Sequence, residues 1–150
     1  MKPKGYLRKI ILQLVLKVAF VCTHNSCRSQ IAEAICRLFA SDVFQCFSAG
    51  TMPGDRIDPT AARLILERFD VDILQTQYPK QLSDIPPVDV VITMGCISGC
   101  PAIPCVYHED WGLSDPTGRT DQEYSEIIDV IEKRVLGLEE RLSEAGLLRR

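Results

Sequence analysis

The sequence predicts an α/β fold, a single three-layer domain on a four-stranded parallel sheet. Two observations predict it. Short apolar, β-branched runs bounded by turn residues alternate with segments of helical periodicity, the pattern of strands joined by crossover helices. The chain has 150 residues, the length of one domain and enough to bury a full core. Sheets of this kind bind ligands at the carboxyl ends of their strands.

Residues 1–16 read as an N-terminal extension, an added helix or an upstream start, and residues 17–150 as the domain. Lys2, Lys4, Arg8 and Lys9 followed by an apolar run imitate a signal peptide. Gln13 and Lys17 interrupt that run, no small-residue cleavage site follows, and about a dozen residues cannot span a bilayer. Val18 to Val21 is the first strand. From Ser29 the apolar positions take helical spacing, with Ile31, Ala34, Ile35, Leu38 and Phe39 as the stripe. Phe44 to Phe47 is a second strand, ended by Ser48-Ala49-Gly50. Asp58-Pro59 marks a cap and first helical residue, and Ala62, Ile65, Leu66 and Phe69 form the next stripe. Val71 to Pro87 has little periodicity, and its prolines forbid a long element.

Val88 to Met94 is a central parallel strand, and Pro104 to Tyr107 is the short fourth strand. Thr120 and Glu123 make a capping box before a long helix whose stripe is Tyr124, Ile127, Ile128, Ile131, Val135, Leu138 and Leu142. Cys36 and Cys46, on a helix and a strand, read as core. Trp111 reads as packing and His108 as structural.

Hydrophobic residues are 46% and charged residues 25% of the chain, as in globular proteins. A net charge of −3 gives no general field for nucleic acid or membrane, so anion binding must come from local groups. Seven cysteines scattered through an α/β pattern are not a secreted disulfide framework; reactive thiols in a cytoplasm fit better.

The stretch that carries chemistry is Lys17 to Ala34, KVAFVCTHNSCRSQIAEA. A strand ends at Cys22, the loop Thr23-His24-Asn25-Ser26-Cys27-Arg28-Ser29 follows, and a helix begins. Loop N–H groups and the positive end of the helix dipole then converge on one point, a cradle for a tetrahedral oxyanion. Arg28 adds a planar fork for two of its oxygens. Asn25 suits the left-handed turn such a loop needs. Cys22 lies at the floor, where the positive field and a hydrogen bond from Ser29 favour its thiolate, a nucleophile facing the anion. Cys27 either guards Cys22 through a disulfide or fills the loop as a small apolar group.

Cys22 to Ser29, a cysteine, five residues and then Arg-Ser, resembles the phosphate loop of the low-molecular-weight tyrosine phosphatase superfamily. The string VCTHNSCRSQIAEA is more similar to its arsenate reductase branch. The resemblance implies a low-molecular-weight phosphatase-like fold, with substrate bound by Thr23, His24, Asn25, Ser26, Cys27, Arg28 and Ser29. It implies that Asp115, in HEDWGLSDPTG, is the general acid, its carboxyl pushed up by the like charge of the anion. Phosphatases of the family follow this Asp-Pro with tyrosines; Thr117 and Gly118 stand here and favour a small inorganic substrate.

The resemblance further implies a thiol relay. Cys22 attacks arsenic, Cys96 attacks the sulfur of Cys22, and Cys100 then takes over the disulfide, which an external thiol reduces: thioredoxin, glutaredoxin or a low-molecular-weight thiol. Three residues separate Cys96 from Cys100, fewer than in thioredoxin-coupled members, so the reductant and the part played by Cys100 stay open. Glu33 and Ser48 resemble positions that, with Asn25, form a cation site behind the loop; the remaining ligand is not evident near Lys80, and no metal is expected. The reading is a monomeric cytoplasmic arsenate reductase with no nucleic-acid or membrane partner and no tightly bound cofactor. One alternative is a phosphatase of the same family. Another is a zinc- or metalloid-binding module using Cys96, Cys100, Cys105 and His108.

Overall fold

A computed structural model describes residues 15–95 and 103–148. The elements in chain order are β1 (Leu16–Cys22), α1 (Arg28–Phe39), β2 (Phe44–Gly50), α2 (Pro59–Phe69), β3 (Val90–Thr93), β4 (Tyr107–Asp110) and α3 (Asp121–Glu144), with 3-10 turns at Ile73–Gln75 and Leu82–Asp84. The sheet is parallel throughout, in the order β2-β1-β3-β4. The expected architecture is present.

β1 is central because it carries four fully buried residues, Val18 to Val21, which read apolar on both faces. Val18 and Phe20, with Val90 and Ile92, join the main core, to which all three helices contribute: Ile31 and Ile35, Ala61 and Ile65, Ile128, Ile131 and Leu138. Ala19, Val21 and Val91 face the other way and are covered by Leu82, Ile85, Val88 and Ile103. That third layer is irregular chain, as the prolines of 71–87 require. Asp58 caps α2 by accepting from Thr60 N and Ala61 N, and Pro59 takes the first turn. Thr120 and Glu123 form the capping box of α3, and every apolar stripe residue named above for α3 is buried except Ile127, which is half-buried.

Three expectations are corrected. The fourth strand lies three residues further on, at Tyr107–Asp110: Pro104 has no N–H for a ladder, whereas Tyr107 to Asp110 pair in register with Val90 to Thr93. Leu38, Phe39 and Leu66 are exposed rather than buried, being turned away from the core-facing side of their helices; Phe39 instead meets the Phe69 ring edge-on at 5.7 Å. Cys36 and Cys46 are core residues as expected, but they are bonded to each other, α1 to β2, with their Cα atoms 6.3 Å apart. Cys22, Cys27 and Cys105 are free thiols. No described helix is long and apolar enough to cross a membrane.

The edge strand β4 is pinned to α3 by Glu109. Its carboxylate accepts from Arg141 Nε at 2.8 Å and Nη2 at 3.0 Å, from Tyr107 Oη at 2.5 Å and from Trp111 Nε1 at 2.8 Å. Burial pushes this carboxyl up, but those hydrogen bonds outweigh burial and hold it at about 2. A carboxylate held below its unfolded value adds stability that is complete above the ordinary range and is lost as pH falls through the folded value. Glu109→Gln is expected to lower the free energy of unfolding by about 2 kcal/mol at neutral pH. Urea titrations from pH 7 down to 2 check this: the gap between wild type and variant should close as the pH falls below about 4.5.

Candidate oxyanion and thiol site

Chain connectivity places the site. From β1 the chain adds β2 on one side and later β3 on the other, so the carboxyl end of β1 opens beside a change of winding direction, where this fold class has a crevice. β1 ends there at Cys22.

The loop after Cys22 is oriented through its carbonyls. Those of Cys22, Thr23, His24 and Ser26 accept from the N–H groups of Thr51, Met52, Gly54 and Asp58, at 2.8 to 3.2 Å. A trans peptide points its N–H opposite to its C=O, so the N–H groups of Thr23, His24, Asn25 and Cys27 turn inward. Asn25 N confirms the direction, lying 3.2 Å from Cys22 Sγ. Asn25 takes the left-handed conformation, φ 51°, as its sequence position predicts. α1 has Cys27 at its cap and no side chain capping its first-turn N–H groups, which leaves donors and the positive dipole end for an anion. Gly50 lies under the loop: a Cβ there would stand 2.7 Å from Thr23 O, so no side chain fits.

Cys22 is 4% exposed, and a polar relay beneath the loop ends on its sulfur. Asn25 Oδ1 accepts from Gln30 Nε2 at 3.0 Å and from Lys80 N at 3.0 Å, which fixes the amide so that Nδ2 faces Ser29 Oγ at 2.8 Å. Ser29 Oγ, an acceptor from Asn25, lies 2.8 Å from Cys22 Sγ and can donate its own hydrogen to that sulfur when Cys22 acts as a nucleophile. Gln30 is held in turn by Gln77 Nε2, which donates to its side-chain oxygen at 2.8 Å. Asn25, Ser29 and Gln30 are fully buried and Gln77 nearly so. Among the described residues no buried side-chain nitrogen or oxygen lacks a partner.

Arg28 does more than the sequence suggested. Its Nη1 donates to Leu113 O at 2.6 Å and Met94 O at 3.1 Å, tying the start of α1 to the end of β3 and to the loop that carries Asp115. Nε and Nη2 have no partner among the described residues. The two tied segments approach closely at Gly95, φ 99°, whose Cβ would lie 3.0 Å from Gly112 Cα.

Asp115 comes to the same site, since its charge bears on Cys27 and is felt together with those of Arg28 and His24. Burial pushes its carboxyl up, but the Thr117 hydroxyl at 2.6 Å, the Thr117 N–H at 3.1 Å and the charges of Arg28 and His24 together hold it below the usual carboxylate range. The upward push expected from a bound anion acts against these groups. Burial, with the charges of Asp58 and Asp115, pushes the Cys27 thiol well up, which favours its protonated form. Thr23 and Ser26 are half-buried; His24 is exposed, with Nδ1 3.1 Å from Met52 O.

Cys96 and Cys100 lie outside the described residues. Cys105 is exposed, and His108 Nε2 lies 3.4 Å from Thr93 Oγ1. Among the described residues no three histidine, cysteine or acidic side chains are grouped to hold a metal. Trp111 is buried against Phe20, a packing residue as expected. Gln30, Gln77 and Lys80 were missed from sequence. Gln30 and Glu33 gave one usable signal, being polar residues three apart that share the buried side of α1 with Ile31 and Ala34.

The fold and loop define a phosphatase-type oxyanion site, and residues 17–147 match the model of the low molecular weight phosphotyrosine protein phosphatase family, to which this chain belongs. Within that family it is similar to an arsenate reductase of Bacillus cereus, 33% identical over 133 residues covering 86% of this chain and 95% of the relative. It is also similar to a glutaredoxin arsenate reductase of Synechocystis, 33% identical over 131 residues covering 85% of this chain and 98% of the relative. A solved arsenate reductase in the phosphate-binding state superposes with a TM-score of 0.76 at 30% identity, over 85% of this chain and 98% of that one. A thioredoxin-dependent arsenate reductase of Corynebacterium glutamicum gives 0.69 at 30%, over 92% and 67%.

Ser29→Ala removes the hydroxyl that donates to Cys22 and strands the Asn25 amide. Alkylation of Cys22 by iodoacetamide at neutral pH should slow about tenfold, read by peptide mass spectrometry, while the circular dichroism of the variant stays that of the folded protein.

Proposed function

We propose that this chain reduces arsenate to arsenite, using an external thiol as the electron source. The observation that carries this reading is the relay ending on Cys22 Sγ, a buried sulfur facing inward N–H groups at an uncapped helix start. That arrangement sets a cysteine nucleophile in front of a tetrahedral oxyanion. Phosphate and arsenate share shape and charge, so the cradle alone selects neither. Two sequence features favour arsenate: Cys96 and Cys100 can supply electrons, and Thr117-Gly118 stand where a grip on an aromatic phosphoester would be needed. Relatives of a third identity bearing the arsenate reductase name support the same choice.

In the proposed reaction the Cys22 thiolate bonds to arsenic(V) while Asp115 gives a proton to the departing oxygen, which leaves as water. Loop N–H groups and the open edge of Arg28 hold the remaining oxygens. The Cys96 thiolate then attacks Cys22 Sγ. The S–As bond breaks with its electron pair passing to arsenic, which leaves as arsenite, and a Cys22–Cys96 disulfide remains. Cys100 attacks Cys96 and frees Cys22, and a thioredoxin, a glutaredoxin or a small thiol reduces the last disulfide. The need for such reduced thiols supports a cytoplasmic location. Hydrolysis of small phosphoesters is the second reading, favoured by the family to which the chain belongs, because it shares the first step.

Cys22→Ser is expected to lose arsenate turnover by about a thousandfold or more. Cys96→Ser should bind arsenate like wild type yet release no arsenite. Equilibrium dialysis and arsenite assay read the two steps separately, and Cys96→Ser turning over normally would remove the relay.

A further inference from the structure

Lys80 is a cation beneath the loop for which the proposed chemistry has no use. Its side chain is 9% exposed, and Nζ lies 3.4 Å from Glu33 Oε1 and 3.4 Å from Ser48 Oγ, and 3.0 Å from Tyr78 O. Glu33 is 1% exposed and accepts a 2.6 Å hydrogen bond from Ser48. Its other oxygen meets Arg37, 45% exposed, at 3.1 Å. Glu33, Ser48 and Asn25 are the residues that resemble a family cation site, and a metal does not fit them here: an ammonium already stands against the carboxylate and the hydroxyl. Both carboxylate oxygens of Glu33 already meet a cation, and a metal at the oxygen Lys80 holds would repel the ammonium.

Lys80 also touches the relay through its backbone. Lys80 N donates to Asn25 Oδ1 at 3.0 Å, and Lys80 O accepts from Gly50 N at 2.8 Å, directly below the loop. One residue therefore holds the amide that orients Ser29, the glycine under Thr23, and the acid on α1. We infer that Lys80 is a positioning residue, a built-in ammonium that does the work of a cation behind the oxyanion loop and frees anion binding from any added cation. Its ammonium acts by fixing Glu33 and Ser48 beneath the loop, beside the backbone N–H that holds Asn25, and does not touch the anion. The inference rests on the oxyanion reading of the loop and not on which anion is turned over.

The test is calorimetric titration with inorganic phosphate at one ionic strength in potassium, ammonium or choline chloride. Wild type should bind with the same affinity in all three. Lys80→Met should bind about tenfold more weakly in choline, the loss expected for one hydrogen-bonded charge, and should recover in ammonium or potassium, which are small enough to enter the vacated place. A merely structural lysine would not create a dependence on the added cation. Wild-type binding that strengthens in potassium would overturn the inference without needing the variant. So would Lys80→Met binding as tightly as wild type in choline, or a loss that no small cation restores. Wild type binding phosphate in none of the salts would instead sink the oxyanion reading beneath it; arsenate assays on the same protein read the choice of anion separately.

Discussion

The site depends on the direction of a few peptide groups. Four carbonyls between Cys22 and Ser26 are committed to the chain segment 51–58, and that commitment turns the opposite N–H groups inward. Were those carbonyls free to rotate, the loop would offer mixed dipoles to an anion, and the uncapped start of α1 would be a cost rather than a binding site. The supporting features follow from this one constraint. Asn25 supplies the left-handed turn, Gly50 leaves room beneath, and Arg28 spends one nitrogen holding the neighbouring strand ends in place.

The second requirement is a nucleophilic sulfur held in one place although it is nearly inaccessible. A chain of polar groups fixes what lies against it: Gln77 donates to Gln30, Gln30 and Lys80 to Asn25, and Asn25 to Ser29, whose hydroxyl is bonded to Cys22 Sγ. Such a network stabilises only when every member is satisfied, because one orphaned amide in the interior costs more than one hydrogen bond returns. Here no buried side-chain nitrogen or oxygen among the described residues is left without a partner.

Much of this was legible in the sequence. The strand ending at Cys22, the helix after Ser29, the left-handed Asn25, the Asp58 cap and the Thr120–Glu123 box all rest on local chemistry that a neighbour cannot easily override. The fourth strand was displaced because register is decided by pairing with β3, which no local pattern in Pro104 to Tyr107 reveals. The Cys36–Cys46 bond joins a helix to a strand and depends on how α1 lies across β2. Lys80 and Gln77 lie some fifty residues from the atoms they hold, in the segment with least periodicity, so nothing in their surroundings marks them. The downward hold on Asp115 by Thr117, Arg28 and His24 was not legible, because it depends on how the Asp115 loop lies against Arg28 and His24.

The central claim is that electrons reach the anion through Cys22 and leave through the later cysteines. The most direct measurement is a single turnover of arsenate by fully reduced protein with no added thiol, quenched in acid, alkylated and mapped for disulfides. The account predicts one arsenite per chain and a new disulfide on Cys22–Cys96 or Cys96–Cys100, distinct from the Cys36–Cys46 pair. Unchanged thiols at Cys22, Cys96 and Cys100, with no arsenite even after a small thiol is supplied, would contradict it.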